Sequence, residues 1–160
     1  MLLDRTGEIA DRWTPAESDL LPEGPVIVPF ERLAGTDHAP LGVHLPNDAD
    51  PRALADDFAR LGLISVDFPS FADGRGFSIG TCLRELGYRG RLRATGPVIA
   101  DQFAYLLECG FDEVSLPDAV AARQPVAQWL ARLDHGTLAY QRGRSLRASI
   151  PDQRRRAANG

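Results

Sequence analysis

The sequence predicts an α/β fold: a mainly parallel sheet of about five or six strands with flanking helices and a small N-terminal hairpin. Three observations predict it. Short apolar runs recur along the chain, as expected of buried parallel strands. Segments with a single apolar face at helical spacing separate these runs. Glycine, proline or aspartate stands at most of the junctions. Strands alternating with helical segments imply βαβ units.

Leu2-Leu3 and Ile9-Ala10 flank DRTGE, whose Gly7 suits a turn needing positive φ. Residues 14–24, TPAESDLLPEG, read as a loop. PVIV (25–28) is the first candidate parallel strand, and FERLA adds one or two helical turns. LGVHL (41–45) is the second strand. Asp50 can N-cap a helix with Pro51 at its first position. Leu54, Phe58 and Leu61 give that helix one apolar face, and Gly62 ends it. LISVDF (63–68) is the third strand. Ile79, Leu83 and Leu86 then mark a helix that closes at Gly87. RLRAT (91–95) is the fourth strand. Gly96-Pro97 opens a helix carrying Val98, Ile99, Phe103, Leu106 and Leu107, closed by Gly110. DEVSL (112–116) is the fifth strand. Asp118 caps a last helical region whose regular part starts near Pro125, with Trp129, Leu130 and Leu133 toward the core. TLAYQ (137–141) is a candidate sixth strand. Residues 1–141 therefore read as one domain, and 142–160 as a basic tail expected to be disordered.

An open three-layer sandwich and a partial (β/α) barrel both fit this order of elements. In either, the loops leaving the strand C-terminal ends gather on one edge, where α/β proteins bind ligands. Three such loops carry polar residues: LPNDADP, FPSFADGRGFS and ATGPVIADQ.

Composition narrows the function. All 18 basic residues are Arg, which excludes a Schiff-base lysine and a phosphate loop with its Lys. Residues 1–140 are strongly acidic, against a nucleic-acid-binding face, whereas 141–160 are basic. No apolar run reaches the roughly 20 residues of a membrane helix, and the polar N-terminus is unlike a secretory signal, so a cytoplasmic protein is expected. Cys82 and Cys109 form no redox or metal motif, and His38, His44 and His135 have no metal-ligand spacing. No metal site and no cofactor of the chain's own are expected.

FPSFADGRGFS (68–78) stands where a strand hands over to a helix. It admits three readings. The first is structural: Asp73-Gly74 makes a turn, Ser78 or Asp73 caps the helix, and Arg75 pairs with a neighbour. The second is a dinucleotide loop, from Gly74-x-Gly76-x-x-x-Gly80. Against it, Pro69 to Asp73 delay the turn, the loop follows the third candidate parallel strand, and the next strand offers no acid for a ribose. The third is an anion or partner site, with free N–H groups at the helix start and Arg75 as a bidentate donor. The candidate ligand- or partner-binding residues are Asp73, Gly74, Arg75, Gly76, Ser78, Arg93, Gly96, Asp101 and Gln102. Asp101 could pair with Arg75 or Arg93, and Gln102 must find a hydrogen-bond partner near the core. No catalytic residue is assigned: Cys82 reads as buried, Ser78 has no nearby His in sequence, and His44 lies on a strand.

The segment from Phe71 to Asp112 also carries an ordered series of motifs: Asp73 to Ser78, Leu83 to Glu85, Gly87 to Gly90, Leu92 to Gly96, Asp101-Gln102, and Cys109 to Asp112. In these, and in LGVHLPNDADP and LAYQ, the chain resembles a bacterial family of uncharacterised proteins described as probable oxidoreductases involved in sulfite reduction. The likeness spans most of residues 1–141; Pro97 departs from an Asp frequent in relatives. The resemblance implies a link to assimilatory sulfate reduction and cysteine biosynthesis, with sulfite reductase or another protein of that route as partner. The residues themselves carry no flavin, nicotinamide, haem or iron–sulfur signature. An accessory or binding protein is therefore expected, with a small α/β enzyme acting on a sulfur oxyanion as the alternative.

Overall fold

The computed structural model describes residues 1–133. Eight strands form one sheet in the order β2-β1-β8-β7-β6-β5-β4-β3. They are β1 (Leu2–Asp4), β2 (Gly7–Glu8), β3 (Thr14–Pro15), β4 (Val26–Pro29), β5 (Leu41–Leu45), β6 (Leu61–Asp67), β7 (Arg91–Thr95) and β8 (Glu113–Ser115). From β3 to β8 every pairing is parallel and follows chain order. The N-terminal hairpin, β1 with β2, extends this sheet by antiparallel pairing of β1 with β8.

Chain-order pairing decides between the two architectures left open by the sequence. A doubly wound sandwich reverses its strand order once, which sends helices to both faces. Here the order does not reverse within β3–β8, and right-handed crossovers place the connecting elements on one side. The sheet curls into a mostly parallel half-barrel with helices outside. The convex face buries Val28, Val43, Ile64, Val66, Leu92 and Val114 completely against those elements. Each such side chain contributes on the order of 1.5–3 kcal/mol of gross transfer free energy.

The convex cover comprises α1 (Arg75–Glu85), α2 (Phe103–Glu108), α3 (Asp118–Ala121), a helical stretch over 126–133 and three 3-10 segments. Asp50 caps the second 3-10 segment, Pro51–Asp57, by accepting from the Arg52 N–H, with Pro51 at its first turn. The expected α-helix there is 3-10, and β6 starts earlier than expected, at Leu61. The region after Gly96-Pro97 stays extended to Ile99 before Ala100–Gln102 and α2 form. Gly87 and Gly110 close α1 and α2 at φ of 100° and 96°. Trp129 is fully buried, with its ring 5.4 Å from that of Phe103.

The N-terminal part of the sheet also differs from the sequence reading. The expected loop at 14–24 contains β3, which pairs through only two residues. Pro15 cannot donate, so this strand lacks the donor pattern of an internal one and suits a sheet edge. The segment leading into β3 crosses the concave face as a strap. The candidate strand 137–141 and the basic tail 142–160 lie outside the described residues.

Candidate functional site

Among the described residues no helix covers the concave face of the half-barrel, and the strand register arranges that face in three rungs. The lowest holds Ile27, Gly42, Leu63 and Arg91; the middle Pro29, His44, Ser65, Arg93 and Glu113; the upper Asp67, Thr95 and Ser115. The strap covers the lowest rung with Trp13. A Cβ on Gly42 or Gly62 would lie 3.1 Å from the indole, so the ring seats on two glycines.

Above Trp13 the middle rung carries a buried charge network. Arg93 is 4% exposed and Glu113 2%. Arg93 Nε donates to Glu113 Oε1 at 2.8 Å, and its two terminal nitrogens donate to the Asp11 carboxylate at 2.8 and 2.9 Å. Arg91 Nε donates to Glu113 Oε2 at 2.6 Å, and Asp4 lies 4.0 Å from Arg91. Burial pushes the Asp11 carboxyl up, but hydrogen bonds from Arg93 and the Trp13 N–H outweigh this and hold it below the ordinary range. Burial likewise opposes charge on Arg93, while Asp11 and Glu113 more than restore it.

Beside this network runs a line of hydrogen bonds. His44 Nδ1 lies 3.1 Å from Ser65 Oγ, and Ser65 Oγ lies 2.7 Å from Thr95 Oγ1. The Arg93–Asp11 bridge separates two cavities. The larger, about 350 Å3, opens toward the strand C-terminal ends and includes Ala16, Ile27, Pro29, His44, Ser65, Thr95 and Ser115 in its lining. The other, about 310 Å3, lies on the opposite side and is lined by Arg12, Trp13, Asp4, Arg91 and Glu113 among others. Both volumes fall at the small end of ligand pockets.

The 68–78 loop is built differently. Asp73 Oδ1 accepts from the Arg75 N–H at 3.1 Å, and Asp73 Oδ2 accepts from the Arg75 guanidinium at 2.7 Å and from Asn47 Nδ2 at 2.8 Å. A side chain of the protein thus sits on the first N–H of α1, as the structural reading of this loop has it. These hydrogen bonds, led by the Arg75 guanidinium, hold the Asp73 carboxyl down to about 2. Gly74 occupies the N-cap position, and Asp73 rather than Ser78 satisfies the helix start; Ser78 is exposed. The glycines serve packing. A Cβ on Gly76 would overlap the Phe68 ring, one on Gly80 the Phe111 ring, and one on Gly96 the Phe68 carbonyl.

The predicted residues therefore fall into separate places. Arg75 pairs with Asp73 and is 60% exposed. Arg93 belongs to the concave network, and no contact joins it to Arg75 among the described residues. Asp101 pairs with Arg132, at 2.7 Å, in place of the expected Arg75 or Arg93. Gln102 donates to the Phe71 carbonyl of the motif loop at 2.7 Å and accepts from the Ile99 N–H. Sequence reasoning missed Asp11, Ser65, Thr95 and Ser115 as neighbours. One signal was present: a parallel strand buried on both faces is apolar throughout, whereas RLRAT and DEVSL alternate. Among the described residues no group of three or more His, Cys, Asp or Glu is placed to hold a metal ion, and no helix is long and apolar enough to cross a membrane.

Fold and cavity together define a mostly parallel α/β half-barrel with a concave pocket. The chain belongs to a bacterial family of proteins of unknown function, DUF934, whose profile matches residues 42–150. His44, Ser65, Arg93, Thr95 and Ser115 fall inside the match, while the strap with Asp11 and Trp13 precedes it. No curated protein and no solved structure matches the chain.

Proposed function

We propose that this protein is an accessory, ligand-binding protein of assimilatory sulfite reduction, and that its ligand occupies the larger concave cavity. The cavity carries this reading: His44, Ser65, Thr95 and Ser115 converge on a space of about 350 Å3 at the C-terminal half of the strands. Convergent polar groups in an otherwise apolar recess are the usual form of a small-molecule site. The sulfite context rests on the motif resemblance from Phe71 to Asp112. Sulfite reductase, or another protein of that route, is the proposed partner. The C-terminal edge offers it Phe71 and Tyr105, which are 57% and 54% exposed.

A second reading, a small enzyme acting on a sulfur oxyanion, draws on the contact of 3.1 Å between His44 and Ser65. Ser65 is 2% exposed, however, so its hydroxyl is better placed to orient His44 than to attack a ligand. Growth of a strain lacking the gene tests the proposal. The strain should grow poorly on sulfate and normally on sulfide. The wild-type gene and Arg75→Ala should restore growth on sulfate, and Thr95→Val should not. Equal growth on sulfate with or without the gene would remove the sulfite context; full rescue by Thr95→Val would remove the cavity.

A further inference from the structure

The larger concave cavity has an electrostatic character that the residue types alone do not suggest. Among the described residues its lining holds one guanidinium, that of Arg93, which is directed at Glu113 through Nε and at Asp11 through both terminal nitrogens. The connected cluster holds two guanidinium groups, Arg91 and Arg93, against three carboxylates, Asp4, Asp11 and Glu113. Its balance is one negative charge, beneath a recess walled by protein where screening is weak. An incoming anion would meet like charge, with no unpaired guanidinium among the described lining residues to answer it.

The remaining polar groups are the hydroxyls of Ser65, Thr95 and Ser115 and the imidazole of His44. Each hydroxyl can donate or accept, and the direction of the Ser65–Thr95 bond sets which role His44 Nδ1 takes. Reversing that line exchanges a donor for an acceptor at the cavity wall without moving a heavy atom. Beside it, Ala16, Ile27 and Pro29 form an apolar wall.

Resting on the reading of this cavity as the ligand site, we propose that it takes a small uncharged molecule with a hydroxyl, carboxamide or carbonyl head on an apolar body, and that it excludes free oxyanions. The apolar body lies on Ile27 and Pro29, and the head meets Thr95, Ser115 and His44. Asp11 is the specificity-determining residue, because its carboxylate accepts from both terminal nitrogens of Arg93 and offsets its charge.

A matched pair of probes tests this. Isobutyramide and isobutyrate share a shape and differ in charge. Each is titrated, with sulfate as a third probe, into the full chain at about pH 8, following the NMR signals of His44, Ser65, Thr95 and Ser115. Isobutyramide is expected to shift these signals and to bind at least about tenfold more tightly than isobutyrate. Asp11→Asn should narrow or invert that ratio by releasing Arg93, and Thr95→Val should weaken isobutyramide in a chain whose charge network is intact. Equal or tighter binding of isobutyrate or sulfate in the cavity would overturn the charge selection and leave the cavity as the site. No shift at these four residues with any probe would overturn both. Sulfate shifts confined to Arg12 and Arg91, in the neighbouring cavity, would agree with exclusion from this one.

Discussion

At the scale of single residues, two arginines of similar appearance in the sequence have opposite roles. Arg75 is 60% exposed and holds a carboxylate two residues away, at the surface. Such a pair is screened and restrains few other groups. Arg93 is 4% exposed and answers Asp11 and Glu113, one of which is itself 2% exposed. Removing it takes one of two guanidinium partners from the buried Glu113, which Arg91 still answers, and both terminal-nitrogen donors from Asp11. The cost falls toward the lower end of the ~3–5 kcal/mol of a broken buried pair. Thermal unfolding of Arg93→Ala should therefore show a large loss of stability, and Arg75→Ala should unfold close to the wild type. A matching loss in both would mean that the 68–78 loop is a structural clamp. What the sequence could not supply was the side on which each residue stands. Arg93 alternates with the buried Leu92 and Ala94, so one position in register sends its guanidinium to the concave face.

At the scale of elements, the segments with strong local signals were legible. LGVHL and RLRAT form β5 and β7 at their expected bounds, and Asp50-Pro51 starts a helical segment where capping chemistry places it. The hairpin at Gly7 also forms, with φ of 127°. Legibility failed where structure depends on distant partners. β3 has two residues and a proline, and it exists because Thr14 and Ala16 donate to Pro25 and Ile27. The strap depends on Trp13 meeting glycines about 30 and 50 residues further along the chain, contacts that no periodicity encodes. The same contrast appears as a gradient of protection. Strands β5, β6 and β7 pair on both sides over long stretches, whereas β3 and β2 are edges. Amide hydrogen exchange should be slowest in β6 and β7 and fastest in β2 and β3. Slow exchange in β3 would mean that another segment covers that edge.

At the scale of the whole molecule, the carboxylates set the response to acid. Arg75 and Asn47 hold Asp73 down to about 2 from an ordinary value of 3.8. Burial raises Asp11 and Asp4, and their hydrogen bonds, from Arg93 and from Thr6, outweigh it and leave both below the ordinary range. A carboxyl lowered by folding contributes stability above its unfolded pKa and loses it as the pH falls through the folded value. Denaturant midpoints should therefore be unaffected by these three groups down to about pH 4 and should fall between there and about pH 2. A decline beginning near neutrality would require another group. The pairing of β1 with β8 has a consequence of a different kind. Leu2 to Asp4 are made long before Glu113 to Ser115 leave the ribosome. At bacterial elongation rates that interval is on the order of 10 s. Strands β3 to β8 can add one after another as they emerge, each beside its predecessor. The hairpin is the earliest segment of the sheet to be translated and the last to gain its partner, so during synthesis its Leu2 and Leu3 are an unprotected apolar end within reach of chaperones.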